Sequence, residues 1–134
     1  MPSIGAIEGM GPRNAARLRR AGIRTTEALL RRASTRGGRA ELGEETGLYE
    51  TQLLEWVNLA DLMRISGVGS EYSDLLEAVG VSSVRELRRR SPQSLLKKMA
   101  AINEQKRLVR RLPTLRMVEG WVQQAKQTEP AVKH

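Results

Sequence analysis

Two short segments of the chain have the residue types and spacing to hold an anion. Ile7-Glu8-Gly9-Met10-Gly11 and Ile65-Ser66-Gly67-Val68-Gly69 share the pattern apolar-x-Gly-apolar-Gly at an offset of 58. Paired glycines let the backbone take positive φ and approach another surface with no Cβ in the way. Each segment runs into a stretch with helical signals, which puts the turn at a helix N-terminus. There, free amide N–H groups and the positive end of the helix dipole suit a phosphate oxygen. A contact of this kind positions a nucleic acid without reading its bases. At the first turn the expected binding residues are Gly9, Met10 and Gly11, through their backbone. Arg13, Arg17 and Arg20 join them, because they fall within an arc of about 60° at roughly 100° per residue.

The second turn is expected to differ. At the places matching the three arginines it has Glu71, Leu75 and Ala78, with Asp74 and Glu77 beside them. A phosphate there would meet carboxylates, so Gly67, Val68 and Gly69 are expected to be structural. A second basic group lies further on. Lys106, Arg107, Arg110 and Arg111 follow the spacing i, i+1, i+4, i+5 and are expected to share one side of a helix and to extend the binding surface. Arg88-Arg89-Arg90 and Lys97-Lys98 precede them. The plain alternatives are tight interhelical turns that bind nothing and basic helix faces that are only solvated.

Other chemistry has little to work with. The chain has no cysteine and one histidine, His134. Zinc fingers, disulfide scaffolds, iron–sulfur sites and Cys or His nucleophile–base pairs are therefore excluded. Two tryptophans, two tyrosines and no phenylalanine make a base-stacking platform improbable. The carboxylate pairs Glu44-Glu45 and Asp74-Glu77 have no neighbour in sequence that would tune them for acid–base work. No catalytic residue, metal site or cofactor is expected. No apolar run nears the roughly 20 residues that cross a bilayer, and no signal peptide is recognised. The expected location is cytoplasmic, with the nucleoid as a further possibility.

The elements that must position these residues read as helices throughout. Caps and 3–4-residue apolar spacings abound, and alternating strand patterns are missing. Ser3 and Asp61 are expected to be N-caps, as are Thr25 or Thr26, Thr35, Asn103 and Thr114, and Ser83 with Glu86 forms a capping-box pattern. Pro12 suits a first helical turn, and Gly22 and Gly47 suit helix ends. The register between the two copies holds for about 25 residues, through Leu18 with Leu76 and Gly22-Ile23 with Gly80-Val81. Trp56-Val57 and Trp121-Val122 repeat at 65, so the second copy carries seven extra residues, placed near Arg110-Arg111-Leu112-Pro113. Both tryptophans are expected in a core. The expected fold is all-α: repeats at 1–58 and 59–127 packed as one helical unit, with a flexible tail at 128–134.

A turn of this pattern between two helices resembles the helix-hairpin-helix motif, and two copies in register make the resemblance specific. Longer stretches extend it. Gly22-Ile23-Arg24-Thr25-Thr26-Glu27, the run Leu54 to Leu62, Arg110-Arg111-Leu112-Pro113 and Trp121-Val122-Gln123-Gln124-Ala125-Lys126 resemble the family catalogued as domain of unknown function 4332. The likeness spans about residues 4–127. It implies tandem helix-hairpin-helix units and a nucleic-acid role, and it brings no catalytic residues.

The net charge of +8 conceals a pattern. Residues 1–40 hold nine arginines and two glutamates, 41–80 one base against nine acids, and 81–134 thirteen bases against four acids. The expected function is sequence-independent binding of nucleic acid, DNA in the first instance, through phosphates. The alternative is a helical adaptor or self-associating scaffold, with a second copy or an acidic protein as partner.

Overall fold

The computed structural model describes residues 2–134. Among these residues the regular structure is helical, with no strand and one isolated bridge, Ser3 to Thr25. The chain forms two units, Met1–Asp61 with Ala131–His134 and Leu62–Pro130.

The first unit opens with a 3-10 helix, Ile4–Ala6, after Ser3, whose hydroxyl accepts from the Gly5 N–H. The Gly9–Gly11 turn leads into α1, Gly11–Arg20, with Pro12 in its first turn. Thr25 caps α2, Thr26–Ala33, by accepting from the Ala28 N–H at 3.1 Å. Thr35 caps α3, Arg36–Thr46, in the same way, and left-handed Gly47 ends it. α4 covers Glu50–Leu62. Each cap satisfies an N–H that the first helical turn leaves without a partner. Ile4, Leu18, Leu29, Leu42, Leu53 and Val57 are fully buried, and Trp56 nearly so.

The second unit has α5, Ser70–Ala78, α6, Val84–Leu87, α7, Pro92–Lys106, and α8, Leu115–Gln127. Its core gathers Ile65, Leu75, Leu76, Val84, Leu87, Leu95, Met99, Val118 and Trp121. α2 and α6 begin 58 residues apart, and α4 and α8 begin 65 apart. Most of the added length lies between α7 and α8, where eight residues stand against three between α3 and α4.

Several local expectations change. Asp61 lies in the last turn of α4, fully buried, and so stands near the end of a helix where the sequence placed it at a helix start. Ser83 stands at the N-cap of α6 with Glu86 at the third helical position, but it makes no side-chain cap bond, so the expected capping box is not formed. Asn103 sits inside α7, where its side chain has another use, described below. The closing residues are also not all loose. Val132 is buried, the Lys133 N–H donates to Ser34 O at 2.8 Å, and Arg39 Nη2 donates to Lys133 O at 2.6 Å. Arg36 donates to the His134 carbonyl, and His134 Nε2 lies 3.1 Å from Asn58 Oδ1. One apolar side chain and two guanidinium donors thus hold Ala131–His134 to the first unit.

Candidate functional site

The first turn is open. Gly9 and Gly11 have φ of 77° and 78°, a region that an L side chain enters only at a cost, and a Cβ at either would meet nothing within 4 Å. The Met10 side chain is buried, and its N–H donates to Ile7 O at 3.3 Å. Met10 therefore closes the turn and has no N–H to give to a ligand, contrary to the expectation that all three amides act together. The amides of Gly9 and Gly11 remain. Asn14 braces the turn from the next helical position, donating through Nδ2 to Met10 O at 2.9 Å.

α1 then carries the three arginines along its length. Ala15 and Leu18 are buried, so Arg13, Arg17 and Arg20 keep to the outer face. At 1.5 Å rise per residue they span about 10 Å. Arg13 lies within the first turn of α1, next to Gly11. Arg17 and Arg20 line a cleft of about 490 Å³ with Ala21, Glu45, Thr46 and Gly47. Glu45 does not neutralise them, because its carboxylate accepts from Arg32 Nη2 at 2.5 Å. That bond raises the Arg32 pKa.

The arginines fall into two sets. Some are occupied by the fold. Buried Arg39 donates to Ala33 O at 3.0 Å as well as to Lys133 O, and burial lowers its pKa below the ordinary arginine value. Arg88 donates to the carbonyls of Ala125, Lys126 and Thr128 at the end of α8, and Arg90 to Val79 O at the end of α5. Cations are favourable at helix C-termini for just this reason. Arg88 and Arg90 therefore leave the basic surface to which their sequence neighbourhood had assigned them. By contrast Arg13, Arg17, Arg20, Arg107, Arg110 and Arg111 make no side-chain hydrogen bond or ion pair among the described residues.

The second basic group is not one helix face. α7 ends at Lys106, and Arg107 takes the left-handed conformation at φ 50°, the one non-glycine residue described with positive φ. Arg110 and Arg111 stand in the loop that follows. Asn103 grips this loop by donating to Val109 O at 3.1 Å and accepting from its N–H at 2.9 Å. Tyr72 on α5 donates its hydroxyl to Arg111 O at 2.9 Å. The loop is thereby held against the second glycine turn.

That turn has its own geometry. Gly67 has φ 90°, and a Cβ on it would come within 3.2 Å of Trp121 Nε1. Tyr72 packs its ring on Trp121, centroids 5.2 Å apart. Gln124 of α8 exchanges hydrogen bonds with the Ser66 backbone at 3.0 and 3.4 Å. The Val68 N–H closes the turn onto Ile65 O at 3.0 Å. Gly69 is extended, φ −93°, and not left-handed as its pairing with Gly11 implied. Asp74 is partly buried on α5, and desolvation raises its pKa although Lys106 works in the opposite direction. The cavity at this turn, about 360 Å³, is lined by Gly67, Gly69, Ser70, Tyr72, Arg110 and Arg111, with Glu71 as its one acid. The sequence hid this placement, because Arg110 and Arg111 stand about 40 residues from the turn they reach.

Among the described residues no cluster of three or more His, Asp or Glu could hold a metal, and no helix is long and apolar enough to cross a membrane. One family profile, described as domain of unknown function (DUF4332), matches residues 8–128. No curated protein and no solved structure matches the chain.

Proposed function

The chain belongs to the DUF4332 family, and we propose that this member is a non-enzymatic, sequence-independent nucleic-acid-binding protein, for DNA in the first instance, acting through a helix-hairpin-helix turn. The Gly9 and Gly11 amides hold one phosphate at the start of α1. Arg13 neutralises that phosphate, and Arg17 and Arg20 neutralise its neighbours along the strand. The observation that carries this reading is the division of the arginines: of the four on α1, Arg13, Arg17 and Arg20 have no side-chain partner among the described residues, while Arg19, which donates to Ser3 Oγ, and Arg32, Arg39, Arg88 and Arg90 are each occupied. An arginine face beside an open glycine turn suits phosphodiesters, since guanidinium groups match phosphate geometry.

Binding of this type rests on counterion release, so it is steeply salt-dependent, with Kd on the order of 10⁻⁴ to 10⁻⁶ M near physiological salt. Fluorescence anisotropy with a generic labelled duplex and a single strand, between about 50 and 200 mM salt, tests it. The Arg13→Glu, Arg17→Glu double variant is expected to lose most of the affinity and to flatten the log–log salt slope by about 2. A wild-type protein that binds neither probe at the lowest salt sinks the reading.

A second reading, self-association, has one observation of its own. Tyr49 is 75% exposed between Glu45 and Glu50, while exposed Leu112, Leu115 and Met117 lie among Arg110, Arg111 and Arg116. The two surfaces are opposite in charge and each offers apolar area. A mass that rises with concentration in size-exclusion chromatography, and falls in high salt, would favour it.

A further inference from the structure

The second unit holds a cavity whose electrostatics its own turn and helix do not foretell. α5 brings Glu71 to it, but the loop between α7 and α8 brings Arg110 and Arg111. We propose that this cavity is a second phosphate-binding pocket, with Arg110 and Arg111 as its cations and the backbone at Gly69 as its wall. The phosphate is taken to be that of the nucleic acid, so the ligand's source rests on the function proposed above.

Three independent observations converge on it. Neither guanidinium has an ion-pair or hydrogen-bond partner among the described residues, although Glu71 lines the same cavity. The loop carrying them is fixed at both ends of its arc, by Asn103 on Val109 and by Tyr72 on Arg111 O. A solvated basic loop would need neither clamp, since ordering its residues costs backbone entropy.

The third observation is Gly69. Its extended backbone is open to any residue, and a Cβ there would meet nothing within 4 Å. Gly67 has both a positive φ and the Trp121 contact to explain it, whereas Gly69 has neither. What glycine provides at position 69 is room on the cavity wall for something that enters it. The first unit places its cations on the helix after the turn. In the second unit they arrive on a loop lengthened from three residues to eight.

The anisotropy experiment separates this pocket from the first turn. Arg110→Ala with Arg111→Ala is expected to lower duplex affinity on the order of tenfold at 50 mM salt and the slope by about 1–2. Gly69→Ala should lower affinity several-fold with an unchanged Tm, and Glu71→Gln should raise it. If the wild type binds, the Arg13→Glu, Arg17→Glu variant fails, and these variants bind as tightly as wild type, the second pocket is overturned and the first turn stands. If the wild type binds no nucleic acid, inorganic pyrophosphate followed by amide NMR decides. Shifts at Gly67 to Ser70 that disappear in the Arg110→Ala, Arg111→Ala protein keep the pocket, and no shifts overturn it too.

Discussion

The two glycine turns begin from the same five-residue pattern and are held in place by different means. The first is braced by its own helix, through Asn14 on Met10 O, and leaves both glycines uncovered. The second is pinned by a distant helix: Trp121 covers Gly67 and Gln124 bonds Ser66 from both sides of its amide. Their cations differ in the same sense. Arg13, Arg17 and Arg20 belong to the helix that the first turn starts, while Arg110 and Arg111 come to the second from a loop beyond α7. A turn's electrostatics therefore follow from what the fold delivers to it, and the residues that flank it in sequence can point to the opposite sign.

The largest effect that would test this contrast is the loss of Trp121. It is 3% exposed, closes over Gly67 and packs on Tyr72, which in turn holds the arginine loop. Trp121→Ala is expected to cost about 3–5 kcal/mol by chemical denaturation. In two-dimensional NMR under native conditions it should move the amides of Gly67 and Arg111 and leave those of Gly9 and Gly11 in place. Comparable shifts at both turns would break the distinction between a turn braced locally and one braced at long range.

A smaller effect compares the paired glycines directly. Gly11 is left-handed, so Gly11→Ala forces an L side chain into that region and is expected to cost about 1–2 kcal/mol. Gly69 is extended with open space at its Cβ, so Gly69→Ala should leave stability within about 0.5 kcal/mol. Parallel urea titrations measure both. Equal losses would mean that the two turns share one backbone conformation after all.

Much of this was legible in the sequence because its causes are local. Thr25, Thr35 and Thr114 each accept from an N–H three residues on, Gly47 ends α3, and both tryptophans are buried. The chain's membership in its family was also carried by short runs of residues. What could not be read depended on partners far away in sequence. Arg88 and Arg90 looked like surface charge, and only the positions of the α8 and α5 ends show that they cap carbonyls. Lys106 to Arg111 had helical spacing, but the helix stops at Lys106 because Asn103 bonds Val109 and turns the chain away. Residues 131–134 had the composition of a loose end, and the buried Arg39 holds them. For Arg88, Arg90 and Arg39 the role was fixed by a carbonyl more than ten residues away, and for the basic loop by an asparagine that bonds across it.

The smallest effect concerns the residue where the second unit departs most quietly from the first. Asp74 stands 58 positions after Ala16, so a carboxylate replaces a methyl on the helix following the turn. Its pKa is raised chiefly because partial burial penalises the charged form, with Lys106 opposing. A carboxyl that binds its proton more tightly when folded makes folding less favourable once ionised. The penalty is absent below the unfolded-state value of about 3.9 and grows as pH rises through the folded-state value. Asp74→Asn should therefore leave Tm unchanged near pH 3 and raise it at pH 7, a gap that thermal melts across that range would show. A lower Tm for the variant at pH 7 would mean that attraction to Lys106 outweighs desolvation. Asp74 would then be holding that lysine in place at the end of α7, and the acidic helix of the second unit would be fixing its basic loop.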